Sequence, residues 1–337
     1  MSDTKSPRRA DEVGNKAAGA VEKVYDAVVI GAGAGGLNAA LVLARARCTV
    51  AVVDGGRPRN APAAHMRGFL SRDGMPPADL LEAGRAELTG YGADIFDNHV
   101  DRVAPGFFVH LSGGAVLRAR RIVVATGLRD QLPDIPGVRE RWGRDLLHCP
   151  FCHGYEVRDQ PLGVLGTHPD SVDQALLLVQ WSADVVHFPH TRPLSDQDRE
   201  RLTARGVRTV EGEIKRLAVT DDRLEGVELT DGRVVPRSAA FVFPRMVPND
   251  SLLTELGCAK DERGLVTTDG SGRTSVYGVW AVGNVVDPRA QVVTAAGMGA
   301  AAAFALTHDL VDEDIDRALE AHRADALAVP APQGAAV

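Results

Sequence analysis

The chain has few cysteines, no surplus of positive charge and no long apolar run, and each shortage removes a class of protein. Four cysteines in 337 residues do not make a disulfide framework, so a close pair reads as redox-active or metal-binding. Lysine and arginine total 38 against 45 aspartates and glutamates, a net charge of -7. That balance does not give a general phosphate-binding surface, and nucleic acid is not an expected partner. No apolar stretch reaches the roughly eighteen residues that a membrane span requires, and the polar N-terminus is unlike a secretory signal. A cytoplasmic protein with no membrane partner is therefore expected. The 45% hydrophobic and 25% charged composition is that of a folded globular chain, long enough for two domains.

Residues 1–22 are rich in charge and small side chains, and the C-terminal stretch is rich in Ala, Pro and Gly; both read as disordered tails. Between them the pattern is α/β. Tyr25 to Ile30 is a β-branched run, Leu37 to Ala46 has helical composition, and Cys48 to Val53 returns to strand, a βαβ unit. Another apolar run, Arg121 to Ala125, ends in Thr126 and Gly127, and the Pro-rich stretch Leu132 to Gly137 reads as a linker. Strand-like Leu162 to Leu165, helical Asp170 to Trp181 and strand-like Asp184 to Phe188 then begin a second βαβ unit. Val276 to Val282 is a late strand, and Gln291 to Leu306 a late helix.

Gly31, Gly33 and Gly36 follow the first strand with the spacing GxGxxG and open its helix, and Asp54 ends the next strand. This is the dinucleotide fingerprint in its required context. Gly31 permits the turn, Gly33 admits backbone to a pyrophosphate, Gly36 allows helix and strand to pack, and Asp54 holds ribose hydroxyls. The fingerprint alone does not separate FAD from NAD.

Cys149, Pro150, Phe151 and Cys152 form the only close cysteine pair. If Cys152 opens a helix, the sulfurs can join and the helix terminus favours a thiolate. Half of a zinc site is the competing reading, but Cys48 and Cys258 are isolated and read as buried apolar residues, so no metal is assigned. Exchange needs a group that takes and returns a proton near neutral pH; His153 is the candidate and His148 the second choice.

Together these pieces resemble the low-molecular-weight thioredoxin reductases: GxGxxG, then Ala125-Thr126-Gly127, then a CxxC, then Trp280-Ala-Val-Gly283-Asn284 followed by Gln291-Val292. The likeness runs from about residue 24 to 310. It implies two Rossmann-like domains, with an FAD domain (23–130 and 245–312) interrupted by an inserted NADPH-domain-like unit (131–244) that carries the cysteines, a terminal helix and tail (313–337), and a homodimer. It also implies that Asn284, where the family has Asp, meets the ribityl and phosphate region of FAD, that the helix from Gln291 points at the flavin, that Cys152 faces the flavin, and that Cys149 exchanges with substrate.

Two family features are missing. The inserted domain lacks GxGxxA after its first strand, having Gly166-Thr-His168-Pro-Asp-Ser171 instead, and His187-Phe-Pro-His-Thr191 supplies no arginine cluster for a 2′-phosphate. With a degenerate pyridine-nucleotide site and the octapeptide Cys149 to Glu156, the chain is similar to the dithiol oxidases of natural-product pathways, such as those that close gliotoxin and holomycin. The resemblance implies a small-molecule dithiol as reductant, dioxygen as acceptor, and His153 as acid and base. The alternatives are a thioredoxin-type disulfide reductase fed by NADPH or a ferredoxin-like donor, and a flavin-containing sensor whose cysteines lock a conformation.

Overall fold

The computed structural model describes residues 23–328, with side chains to residue 325. The two tail readings, 1–22 and the C-terminal stretch, lie outside the described residues.

A seven-stranded sheet organises the first unit. Its strands are β1 (Val24–Ile30), β2 (Val50–Asp54), β3 (Asp94–Asp97), β4 (Val100–Ala104), β5 (Phe108–Leu111) and β6 (Val116–Val124), in the order β3-β2-β1-β6-β5-β4. β1, β2, β3 and β6 run parallel, while β4 and β5 pair antiparallel at the edge. β-Branched residues fill the parallel strands because both faces are covered: Val28, Val52, Ile122 and Val123 are fully buried. Helices α1 (Ala34–Arg45) and α2 (Pro77–Gly90) complete the crossovers.

The chain leaves through β7 (Leu128–Gln131), the loop 132–137 and the short helix α3 (Val138–Arg141). The second unit is built on β8 (Leu146–Leu147), β9 (Leu162–Leu165), β10 (Val185–Phe188), β11 (Arg208–Thr209) and, later, β15 (Ala239–Val242), all parallel in the order β11-β10-β9-β15-β8. Its helices are α4 (Pro150–His153), α5 (Ser171–Leu178) and α6 (Asp196–Ala204). An antiparallel meander, β12 (Ile214–Thr220), β13 (Arg223–Leu229) and β14 (Val234–Pro236), precedes β15. The sequence reading passed over this meander, although Asp221 and Asp222 at positive φ and the Asp231-Gly232 pair are its turn signals.

β16 (Arg245–Pro248) then pairs antiparallel with β7, so outgoing and returning strands form one ribbon. After α7 (Ser251–Glu255), β17 (Val279–Ala281) joins β6 in the first sheet, and α8 (Val292–Ala328) lies across α1. The fold is thus α/β, with two Rossmann-type units and the second inserted in the first. Two differences from the sequence reading stand out. The late strand is confined to three residues because Gly278, at φ 78°, still belongs to the turn before it. The late helix runs unbroken through 312/313, since no glycine or proline follows Gly299 within it.

Candidate active site

The turn between β1 and α1 is held by sterics at two glycines and left open at the third. A Cβ on Gly31 (φ 104°) would lie 2.4 Å from the Ala125 carbonyl oxygen, and one on Gly36 would lie 1.9 Å from the Gly31 oxygen. Neither position accepts a side chain. Gly33, which caps α1 in extended conformation, has no described atom within 4 Å of the same point. The protein therefore has no internal need for glycine there; the space faces a cavity of about 1650 Å³.

Gly31, Gly33 and Asp54 line this cavity, as do Ala125, Thr126 and Gly127. Gly283, Asn284, Gln291 and Val292 line it from the C-terminal segment, and Cys149, Cys152 and His153 from the inserted unit. Gly36 sits behind it as a packing residue. The α1 start and the α8 start both open on this space, so backbone N–H groups and helix dipoles are available to an anionic, extended cofactor. An FAD-sized group fits this cradle.

Several partners here were not legible in the sequence. Asp54 accepts from the Gly56 N–H at 3.0 Å and from Arg85 Nη1 at 2.8 Å, Arg85 reaching across from α2 to Asp97 as well. Thr126 and Asn249 are tied reciprocally: Thr126 Oγ1 donates to the Asn249 carbonyl at 2.7 Å, and Asn249 Nδ2 donates to the Thr126 carbonyl at 2.9 Å. Asn284 donates through Nδ2 to the carbonyls of Asp287 at 3.0 Å and Ala290 at 2.9 Å, and its Oδ1 accepts from Arg59 at 3.4 Å. A carboxylate could not make the two donations, which gives Asn284 a reason to replace Asp: it shapes the loop leading into α8.

Cys149 and Cys152 form a disulfide with a Cα separation of 5.2 Å. The helix bearing it is opened by Pro150 and capped by Cys149, which corrects the expectation that Cys152 opens it; proline is suited to the first helical position and ends the extended chain there. The turn is closed by N–H donations from Cys152 and His153 to the Cys149 carbonyl, at 3.1 and 3.2 Å.

Burial pushes the His153 imidazole below its ordinary pKa, with Glu156 and the Cys149 carbonyl opposing and Arg67 reinforcing the shift. His153 Nδ1 is buried and has no hydrogen-bond partner among the described residues. His148 is also pushed down, by burial and then by Arg59; its Nδ1 lies 3.3 Å from the Val242 carbonyl oxygen. Both rings are thus neutral proton acceptors near pH 7. Cys48 is half-buried and Cys258 is buried, its Sγ 3.5 Å from Thr274 Oγ1.

The turn after β9 in the inserted unit is closely packed and flanked by aromatic rings. A Cβ on Gly166 would meet the Phe188 carbonyl oxygen at 2.5 Å, and His168 stacks on Phe243 with centroids 4.6 Å apart. Phe243 meets His148 edge-on at 4.9 Å, so the aromatic column reaches the redox turn. Asp170 and Asp173 face the same cavity and would repel phosphate.

The family model for pyridine nucleotide-disulphide oxidoreductases matches residues 25–300. Thioredoxin reductase sirT of Leptosphaeria maculans is 32% identical over 314 residues, covering 87% of this chain and 96% of the relative. Among solved structures, HlmI superposes with a TM-score of 0.89 at 64% identity, over 90% of this chain and 98% of that one. A putative thioredoxin reductase TrxB from Bacillus anthracis gives 0.82 at 31% identity, over 86% and 99%.

Proposed function

The chain belongs to the pyridine nucleotide-disulphide oxidoreductase family, and from that footing we propose that it is an FAD-dependent oxidase that closes a disulfide in a small-molecule dithiol. The observation that carries this reading is one cavity shared by the dinucleotide cradle and the Cys149–Cys152 disulfide, and it is supported by a second unit in which His168, stacked on Phe243, stands where the family pattern has glycine. A substrate thiolate attacks Cys149, the bond to Cys152 breaks, and the second substrate thiolate then displaces Cys149, leaving a cyclic disulfide and a reduced cysteine pair. His153 takes the proton of the attacking thiol and returns it to the departing sulfur. When bound, FAD would accept the two electrons and pass them to dioxygen, so that one dithiol and one O₂ give one disulfide and one H₂O₂. Gly31, Gly33, Thr126 and Asn284 would hold it, with Asp54 and its partner Arg85 at the adenosine end.

The test is anaerobic flavin absorbance with NADPH in one sample and dithiothreitol in another, followed by air. Bleaching by the dithiol alone, then recovery with peroxide release, is the expected result. The relatives that are thioredoxin reductases by name favour a second reading, reduction of a protein disulfide by NADPH or a ferredoxin-like donor. Rapid bleaching by NADPH would replace the first reading with it.

A further inference from the structure

The loop between β2 and α2 sends one charged side chain to the redox turn. Its end is pinned by the Met66 N–H on the Met75 carbonyl at 2.9 Å and the Gly74 N–H on the Met66 carbonyl at 3.0 Å, with Met66 buried. Gly68 N–H donates to Asp73 Oδ1 at 2.8 Å. Arg67 projects from this frame toward the inserted unit: its Nε lies 3.1 Å from Glu156 Oε1 and its Nη1 3.5 Å from Asp73 Oδ2. Gly74 leaves room for it, since a Cβ there would stand 3.1 Å from Arg67 Nη1.

Glu156 follows His153 by one turn, its N–H donating to the His153 carbonyl at 3.2 Å, and residues three apart on such a turn face the same side. The charged and titratable groups around His153 are Glu156 on its own segment, Arg67 on the opposing loop, His148 before the disulfide, and the cysteine pair itself. The unpartnered His153 Nδ1 is the atom that a free carboxylate at 156 would seek.

We propose that Arg67 is a positioning residue for the exchange step: it gathers Glu156 and Asp73 into one ion cluster, so the carboxylate beside His153 is neutralised and the imidazole stays an uncharged proton acceptor. The inference rests on the dithiol-oxidase reading for its purpose, but not for its measurement. Removing the guanidinium frees Glu156 and raises the basicity of His153; removing Glu156 alone lowers it. Both groups are partly exposed, which limits each change to about half a pH unit, or roughly threefold in rate below the acid limb.

The experiment is a titration of the ¹³C-histidine-labelled, FAD-loaded protein by NMR, with His153 assigned by loss of its signal in His153→Gln. Arg67→Gln should move the His153 midpoint up, Glu156→Gln should move it down, Arg67→Lys should restore the wild-type value, and the double variant Arg67→Gln/Glu156→Gln should fall close to it. Coincident titrations in wild type and Arg67→Gln would overturn the assignment, as would a double variant shifted as far as Arg67→Gln. If Arg67→Gln does not retain flavin, the Glu156→Gln midpoint decides, and an unmoved midpoint defeats the proposal. The acid limb of flavin bleaching by dithiothreitol should follow the same order. Absence of bleaching in wild type would defeat the oxidase reading while leaving the histidine comparison to judge Arg67.

Discussion

A serine at position 149 or 152 keeps the shape of the turn and removes the sulfur that must be attacked or leave. Each substitution should cut dithiol-dependent peroxide release by about a thousandfold while the flavin spectrum persists; full activity in either would end the relay. His153→Ala should slow bleaching by roughly a hundredfold, as loss of a general acid and base does. His187 tests the physics of burial away from the site. It sits on β10 against Ser171 Oγ at 3.1 Å, and burial lowers its pKa from 6.5 to about 4. Below pH 6.5 the unfolded chain binds a proton that the native ring refuses, so this stability is present above that pH and is lost as pH falls toward 4. The loss amounts to about 3 kcal/mol over that window. Urea unfolding at pH 7 and pH 5 should show a smaller difference in His187→Gln than in wild type, and equal differences would contradict the assignment.

Among the elements, the crossing of α1 and α8 is a close backbone approach that positions the cradle. A Cβ on Gly299 would lie 2.1 Å from the Gly35 carbonyl oxygen and 2.9 Å from the Ala39 nitrogen, so the helices touch backbone to backbone. Gly299→Val must push α8 outward and should cost about 1–3 kcal/mol, lowering the melting temperature and the flavin content together. Unchanged flavin content at normal stability would show that the crossing does not set the site. Farther along α8, Phe304, Val311, Ile315 and Leu319 are exposed. The homodimer implied by the family resemblance would give this apolar row a cover. Sedimentation should find a dimer that Phe304→Glu/Ile315→Glu converts to monomer; a wild-type monomer would dismiss the cover.

In the molecule as a whole, the β7–β16 ribbon that leads to and from the inserted unit is anchored to the first unit through one arginine. Arg59 binds Asp130 bidentately at 2.8 and 2.7 Å and also touches Asn284 and the Pro288 carbonyl, joining the loop after β2, the outgoing ribbon strand and the approach to α8. Asp130 is 9% exposed in its side chain, so Arg59→Met leaves a nearly buried charge without its partner and should destabilise by about 3–5 kcal/mol; adding Asp130→Asn should recover part of that. Thermal unfolding of the single and double variants checks it, and additive losses would refute the coupling.

How much of this was written in the sequence depends on range along the chain. The β1-turn-α1-β2 unit was legible because its strands, glycines and acid are neighbours whose sterics are local, and the cysteine pair because a disulfide across three residues needs only one turn. The departure of the inserted unit from the family's glycine pattern is likewise local, His168 and the adjacent proline standing where the pattern has glycine and an N–H. The partnerships were not. Arg85 with Asp54, Thr126 with Asn249, Arg59 with Asp130 and Arg67 with Glu156 join residues 31 to 123 positions apart. Each member alone is an ordinary surface type. The sequence by itself determined the chemistry carried, a dinucleotide turn and a dithiol; only the tertiary structure decided that both open on one cavity and which charges stand beside His153, because those depend on how the inserted unit closes against the first.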